Sequence, residues 1–441
     1  MNVEKIQKLD ERVFEVSKKI RLLKSLSWPC DEENKFLNSW RANNPKLPDF
    51  KLEAPDLIGE VIELEKMAHQ CDENEPVEKY LYETAMSYAT SAKLLMSVGT
   101  PQFTRESIII YGRPDDRYKT QDLTVIDSAK FFLKVTKNLL GNFLVPTPDY
   151  NISAKKFAAS LKEKIDGFFE HDQVKVVLDN KISARALAGS RKIRISETEM
   201  FSQLDKNQLL NHEAFIHAAT MLNGRKQTHL KCLGLGAPRT TKTQEGLAVA
   251  SEVLTHSIDI ARLRRIALRV LGVQKALEGA DFIEVFKFFL DEGQSELDAV
   301  RSTERIFRGG HFKGGVVFTK DSVYLQGLLE IHTFMKLAIW HNKPEYILGL
   351  FAGRLTMGDV IRMRPLFESG WLVAPVYVPR WASDFRKLAA QMAYSAFISN
   401  INLDGIKFEH FIDLEERRSG TAMKREVNEP KDSLNLSSSL N

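Results

Sequence analysis

The stretch DKNQLLNHEAFIHAATMLN, residues 205–223, decides how this chain is interpreted. Its apolar residues, among them Leu210, Phe215 and Leu222, supply an apolar surface for a helix. Asp205 is a suitable N-cap for that helix. The pattern therefore predicts a buried helix that carries two histidines and a glutamate in its interior.

These three polar residues are His212, Glu213 and His217. A zinc hydrolase needs two imidazoles that converge on one metal and a carboxylate that takes a proton from water. The familiar helical pattern HExxH separates its histidines by four residues, whereas HEAFIH separates them by five. A five-residue step turns the second side chain by about 140° on a regular helix. We therefore predict a π-bulge between His212 and His217, since one i→i+5 hydrogen bond brings both onto one face. The alternative is two unrelated histidines on a buried helix.

A third metal ligand is predicted on the next helix. Thr243 can cap a helix that begins with the letters QEGLA, and Glu245 falls in its first turn, 28 positions after His217. A glutamate there also complements the helix dipole. Gly246 costs roughly 1 kcal/mol of helix propensity, which close backbone approach to a neighbouring helix or to the metal would explain. The combination predicts one zinc ion per chain, held by His212, His217 and Glu245.

The regions around this centre predict an α+β protein that is predominantly α-helical. Helical patterns cover 3–26, 55–71, 76–97 and 124–140, while 101–125 is rich in turn residues. We interpret residues 1–150 as an N-terminal helical region packed on a metallopeptidase-like core, residues 151–413. The Ser-rich segment 414–441 is expected to be a disordered tail.

Two short runs of β-character lie within the predicted core. They are Val174–Leu178 and Lys192–Ser196, and they predict a small antiparallel sheet that leads into the histidine-bearing helix. The second run could pair with an extended substrate by β-augmentation. The alternative is a purely structural edge strand.

Composition excludes several classes of protein. Lys and Arg total 62 against 58 Asp and Glu, so the near balance does not indicate nucleic-acid binding. Three cysteines without a CxxC pair argue against a disulfide framework or a disulfide-linked partner. No stretch reaches the roughly 20 apolar residues of a membrane span, and no signal peptide is evident. We therefore expect a cytoplasmic protein.

The motifs resemble those of a known family. HEAFIH followed by TQEGLAVASE resembles the bacterial flavohaemoglobin-expression-modulating QEGLA-motif proteins. Their animal relatives are the microtubule-associated tyrosine carboxypeptidases, which remove the C-terminal tyrosine of α-tubulin. The later run RIFRGGHFKGGVVFTKDSVYLQGLLE resembles the family's stretch with RGG and TKDxxYL, and the likeness spans roughly residues 50 to 410.

This resemblance implies a single-zinc HExxxH peptidase with a predominantly helical fold and a small sheet. Carried over by position, His212, His217 and Glu245 match the zinc ligands, and Glu213 matches the general acid/base. The substrate does not carry over, because the QEGLA spelling points to the bacterial branch, where tubulin is absent. The implied partner is therefore a peptide or protein substrate without further definition.

Other residues are candidates for catalysis and substrate binding. Tyr324 is the predicted donor to the oxyanion that develops at the scissile carbonyl, with His311 behind it, and the alternative for Tyr324 is a core aromatic. A carboxypeptidase also needs a cation for the substrate's free carboxylate. Four candidates are available: Arg308, Lys320, Arg362 and Arg364. Arg308 is preferred because Gly309 and Gly310 follow it.

The sequence thus predicts a zinc carboxypeptidase that acts on a peptide or protein C-terminus. Two alternatives stay open: an endopeptidase or aminopeptidase built on the same site, and a regulatory protein whose zinc is structural. A closed fourth coordination position would favour the regulatory protein.

Overall fold

The structure, a computed structural model, describes residues 2–29, 31–118, 122–137, 139, 149–180, 182, 185–189 and 191–398. Contacts within the chain divide it into two units, residues 1–393 and 394–441, and only the end of the last helix is described in the second. The expected disordered tail, 414–441, lies outside the described residues. The division of the chain at residue 150 remains a prediction.

The N-terminal region is helical, as the sequence predicts. Its helices are α1 (Val3–Ser17), α2 (Leu22–Ser25), α3 (Glu32–Arg41), α4 (Ile58–Ala68), α5 (Pro76–Met96), α6 (Pro101–Tyr111) and α7 (Val125–Thr136). The prediction that 101–125 is rich in turns was wrong for α6. Pro101 occupies the first turn of this helix, where its missing N–H costs nothing, and Gly112 ends it at φ 79°.

The sheet region combines two small sheets with one helix: β1 (Ile152–Ser153), α8 (Ala154–Phe168), β2 (Lys175–Asp179), β3 (Ala186–Ala188), β4 (Lys192–Ser196) and β5 (Met200–Phe201). β1 pairs with β5 and β3 pairs with β4, both antiparallel. β2 adds a parallel partner to β4, so the three-stranded sheet is mixed and its order is β2-β4-β3. The predicted edge position of β4 was wrong, because strands pair with both of its sides.

The histidine-bearing segment follows β5 directly. α9 (Gln203–Leu209) continues as a π-helix over Leu210–Ala218 and then as α10 (Ala219–Arg225). Ser202 is the N-cap of α9, and Asp205 lies three residues later in a reciprocal capping box. The prediction that Asp205 is the N-cap was therefore wrong by three residues, because Ser202 holds that position. The apolar side chains of this segment pack against α8 and the sheets. In this cluster the rings of Phe157 and Phe201 stack with centroids 4.0 Å apart.

Helices make up the remainder of the described chain: α11 (Thr241–Leu254), α12 (Ile260–Leu277), α13 (Phe282–Asp291), α14 (Glu296–Phe307), α15 (Val323–Trp340), α16 (Pro344–Gly349), α17 (Met357–Arg362), α18 (Arg364–Glu368), α19 (Arg380–Ser383) and α20 (Phe385–Ile398). A 3₁₀ turn, Thr319–Ser322, precedes α15. The expected α+β fold of predominantly helical character is confirmed. None of the described helices is long and apolar enough to cross a bilayer.

Close packing of α11 on α15 fixes the position of the second half of the site. A Cβ added at Gly246 would lie 2.3 Å from the carbonyl carbon of Gly327, and a Cβ at Gly327 would lie 2.3 Å from the carbonyl oxygen of Lys242. The predicted close approach at Gly246 is confirmed, and its partner is the backbone of α15. Thr240 rather than Thr243 precedes α11, so Glu245 lies in the second helical turn.

Candidate metal centre

The π-helix brings the two histidines onto one side of their helix. The imidazole rings of His212 and His217 lie with centroids 4.8 Å apart at an interplanar angle of 90°. The π-helix spans nine residues, longer than the single bulge that the spacing predicts. Its wider turn compensates for the five-residue separation, which on an α-helix would point the rings apart.

Glu245 completes a triad with these histidines. Its Oε2 lies 3.4 Å from Nε2 of His212 and 3.5 Å from Nε2 of His217. Ligand atoms bound tetrahedrally at 2.0–2.1 Å from zinc are about 3.3 Å apart. The two separations that involve Glu245 therefore match those between zinc ligands, and all three candidate ligand atoms lie within 4.8 Å of one another. The residue types are ligands that zinc accepts. The structure brings together the three predicted ligands.

The protonation of the triad depends on burial and on its carboxylates. Burial lowers the pKa of His217, which keeps its imidazole neutral, the state that a metal ligand requires. Burial would also lower the pKa of His212, but hydrogen bonds with Glu245 and Glu252 raise it to about 10. Burial opposes ionisation of Glu245, and the charge of Lys320 and hydrogen bonds with both histidines reverse this effect and hold its pKa low. A cation in the triad would replace the proton of His212, because the same Nε2 must bind it.

A buried carboxylate orients the first histidine. Glu252 Oε1 lies 2.6 Å from Nδ1 of His212, and the Glu252 side chain is fully buried. Arg262 in turn binds Glu252 through Nε, and its Nη2 donates to Oε1 at 2.6 Å. This arrangement directs Nε2 of His212 toward the triad, as second carboxylates do around metal-binding histidines. Among the described residues, Nδ1 of His217 has no such partner.

Glu213 is held by the edge of the three-stranded sheet. Its Oε2 accepts a hydrogen bond from the backbone N–H of Ala188 at 2.8 Å. Ala188 lies in β3, an outer strand in the order β2-β4-β3. The glutamate is partly exposed and is not one of the three converging ligands. It therefore remains accessible beside the triad.

Lys320 and Tyr324 lie on the other side of Glu245. Nζ of Lys320 is 3.1 Å from Glu245 Oε1 and donates to the Tyr324 hydroxyl at 3.2 Å. Nη2 of Arg305 donates to the same hydroxyl at 3.2 Å. The structure thus joins two predicted residues to the triad, one catalytic candidate and one candidate cation. Because Lys320 and Arg305 both donate to it, the hydroxyl oxygen of Tyr324 acts as acceptor and leaves its proton available to another acceptor.

The other candidates occupy different surroundings. His311 lies in an exposed turn, where its Nδ1 accepts a hydrogen bond from the backbone of Lys313. The three predicted arginines form ion pairs with neighbouring acids: Arg308 with Glu304, Arg362 with Glu83 and Asp359, and Arg364 with Glu368 and Glu345. Their roles in substrate binding remain predictions.

Sequence reasoning missed one buried cation beside the second histidine. Arg354 donates from Nη2 to the backbone carbonyl of His217 at 3.1 Å and from Nη1 to Gln244 at 2.8 Å. Burial lowers the pKa of this guanidinium to about 10. No spacing signal joins Arg354 to HEAFIH or QEGLA, since it lies more than a hundred positions after both of these motifs. For Glu252 a signal existed, because it lies seven residues after Glu245 and therefore on the same helix face.

Comparison with known proteins agrees with the resemblance that the motifs carry. The model of the family named microtubule-associated tyrosine carboxypeptidase matches residues 34–400. No curated protein matches the chain. The matched range contains all three triad residues, Glu213 and both residues on the far side of Glu245, and it covers most of the chain. The chain therefore belongs to the microtubule-associated tyrosine carboxypeptidase family, a family of carboxypeptidases.

Proposed function

We propose that the chain is a zinc-dependent carboxypeptidase that removes a residue from the C-terminus of a peptide or protein. The observation that carries this proposal is the convergence of His212, His217 and Glu245 with ligand-atom separations of 3.4 and 3.5 Å, beside a glutamate that is not a ligand. The family supplies the carboxypeptidase activity, and its name suggests tyrosine as the residue removed.

The donor set also bears on the alternative of a structural zinc. Structural zinc sites are closed by four protein ligands, whereas catalytic sites keep one position open. The described residues offer three ligands in one cluster. This count favours an enzyme over a regulatory protein with a structural metal.

Each residue near the triad has a role in this proposal. A bound zinc ion would polarise the scissile carbonyl and lower the pKa of a water molecule. Glu213, held at Ala188, accepts the proton of the attacking water and delivers it to the leaving amine. Tyr324 donates its hydroxyl proton to the developing oxyanion, since Lys320 and Arg305 already occupy the acceptor side of that hydroxyl.

The test combines metal analysis with cleavage of a peptide library that varies at the C-terminus. The purified chain and Glu213→Gln should each contain one zinc, and only the unmodified chain should shorten peptides rapidly by one residue. General acid–base catalysis predicts a loss of about 10²–10⁴-fold in Glu213→Gln. The exposed Glu197→Gln serves as the matched control, with unchanged cleavage.

The alternatives give different results. Zinc without cleavage of any peptide would support the regulatory protein. Cleavage at internal bonds or from the N-terminus would support the endopeptidase or the aminopeptidase.

A further inference from the structure

Three arginines line one face of α12 next to the proposed active site. Arg262, Arg265 and Arg269 are separated by three and four residues, a spacing that places them on one side of a helix. All three are partly exposed. Arg262 is engaged with the buried carboxylate of Glu252, so its charge is compensated. Within the part of the chain that the structure describes, the other two arginines have no such hydrogen-bonded carboxylate.

Arg269 is a largely buried cation without a hydrogen-bonded counter-ion among the described residues. Its nearest acidic group among the described residues is Asp321, whose Oδ2 lies 3.6 Å from Nε, and that Nε is buried without any hydrogen-bond partner. Arg305 already binds both oxygens of Asp321, at 2.6 and 2.7 Å. Two guanidinium groups therefore share one carboxylate, and Arg305 makes all of the hydrogen bonds.

Arg265 lies one turn before Arg269 and is similarly under-compensated. Its one ion pair among the described residues, with Asp298, is 3.7 Å long, beyond hydrogen-bonding distance. Burial, together with the charges of neighbouring arginines, lowers the pKa of both guanidinium groups, that of Arg269 to about 9. Both remain cationic at neutral pH. An anion between them would offset the unfavourable desolvation of two partly buried charges.

Arg269 is connected to the metal triad through a series of contacts that begins at Asp321. From Asp321, Arg305 reaches the Tyr324 hydroxyl at 3.2 Å, and Lys320 bridges this hydroxyl to Glu245. Tyr324 is also close enough to Arg269 to affect its charge state. An anion bound by Arg269 would therefore lie on the Tyr324 side of the triad. A substrate residue on the C-terminal side of the scissile bond could carry this anion.

We propose that Arg265 and Arg269 form the subsite for the terminal α-carboxylate of the substrate. The inference rests on the proposed function and deepens it, because it makes the enzyme an exopeptidase that requires a free C-terminus. Guanidinium groups suit this ligand, since their planar N–H groups bind carboxylates in a bidentate manner. Their accessibility, 31% for Arg265 and 16% for Arg269, leaves room for approach from solvent.

The experiment measures peptide binding in the Glu213→Gln background. The probes are a fluorescein-labelled peptide Gly-Ala-Gly-Ala-Tyr as free acid and the same peptide as C-terminal amide, with peptide integrity checked by mass spectrometry. We expect the acid to bind about 10- to 100-fold more tightly than the amide, the range of a charge-assisted hydrogen bond. Adding Arg269→Met should bring acid affinity down to that of the amide and leave amide affinity unchanged.

Two further variants separate binding from folding. Arg265→Met should reduce the preference for the acid by a smaller factor, because this side chain is more exposed. Arg41→Met is the matched control, since Arg41 is an exposed arginine paired with Glu296, and it should keep the full preference. The unfolding temperature of Arg269→Met should equal or exceed that of the parent, because the substitution removes a buried cation that lacks a hydrogen-bonded partner.

The outcomes distinguish this inference from the proposed function. Equal binding of acid and amide to the parent, or an unchanged ratio in Arg269→Met, would overturn the inference even if the enzyme cleaves peptides. A third probe, an amide with glutamate replacing the alanine next to the tyrosine, identifies a side-chain carboxylate as the ligand if it binds as tightly as the acid, which would overturn the assignment to the terminus. Failure of the proposed function would appear separately: the chain would cleave no peptide, yet it would still bind the free-acid peptide more tightly than the amide.

Discussion

Glu252 Oε1 and His212 Nδ1 lie 2.6 Å apart, and the Glu252 side chain is fully shielded from solvent. Glu252 is on α11, seven residues after Glu245, so one helix face supplies both a triad member and the group that orients another. Burial would raise the pKa of Glu252, but the charge of Arg262 and the hydrogen bond with His212 bring it to about 2. The contact therefore joins an ionised carboxylate to a histidine ring whose other nitrogen points to the triad.

Replacing Glu252 by glutamine should weaken metal binding. The amide carries no charge to stabilise the ligand form of His212, and partners of this kind contribute about 10- to 100-fold to metal affinity. The measurement is zinc affinity by competition with a chromophoric chelator. Glu163→Gln, an exposed substitution on α8, is the control and should bind zinc as the unmodified chain does. Equal zinc affinity in both variants would contradict the orienting role.

The approach of α11 to α15 predicts that Gly246→Ala is poorly tolerated. Its methyl group would lie 2.3 Å from a backbone carbonyl carbon of Gly327, so the helices must separate and move Glu245. We expect a loss of at least about 1–3 kcal/mol in unfolding free energy, together with weaker zinc binding. Gly167→Ala is the matched control on α8, because no atom lies within 4 Å of the added Cβ. It should stabilise the chain by up to about 1 kcal/mol, as chemical denaturation would show, whereas equal stability of both variants would contradict the packing argument.

The convergence of the three candidate metal ligands was predictable because it depends on local spacing. The five-residue step between His212 and His217 requires a wider helical turn, and QEGLA places Glu245 on the helix that follows. Gly246 carried a second signal, since a glycine in the middle of a helix indicates close backbone contact.

The surroundings of the centre were less accessible to sequence reasoning because they depend on tertiary packing. Arg354 reaches the backbone of His217 from a distant part of the chain. β3 has three residues, too few for an alternating pattern to be recognised, yet its Ala188 holds Glu213. The mixed sheet could not be deduced either, because strand order depends on tertiary packing that the short runs of β-character do not encode locally.

An ion pair outside the triad, between Arg239 and Asp359, predicts a dependence of stability on pH. Asp359 is fully buried, and although burial alone would raise its pKa, Arg239 lowers it. A carboxylate whose folded-state pKa is lowered stabilises the fold above its unfolded pKa, about 3.9, and loses this contribution as the pH falls further. Asp359→Asn should lower the free energy of unfolding by about 3 kcal/mol at pH 7. This is the low end for a broken buried ion pair, because Arg239 retains its ion pair with Glu83.

The check on this ion pair is the unfolding free energy from urea titrations between pH 7 and pH 3. The difference between the unmodified chain and Asp359→Asn should shrink as the pH falls below about 4. Asp384→Asn is the control, since Asp384 is substantially exposed and its pair with Lys387 contributes little. A difference that stays constant over the whole range would show that the carboxylate charge is not the cause.

Tyr324→Phe separates a catalytic hydroxyl from a core aromatic, the two interpretations that the sequence left open. The ring is kept, so the packing of α15 is retained, whereas the hydroxyl that receives hydrogen bonds from Lys320 and Arg305 is lost. If this hydroxyl stabilises the developing oxyanion, kcat should fall by about 10²–10³-fold, with KM and zinc content nearly unchanged. Tyr82→Phe, on α5, is the control with normal turnover. A Tyr324→Phe enzyme with normal kcat would identify the residue as structural, and a loss of zinc would instead mean that the hydroxyl acts through Lys320 on Glu245.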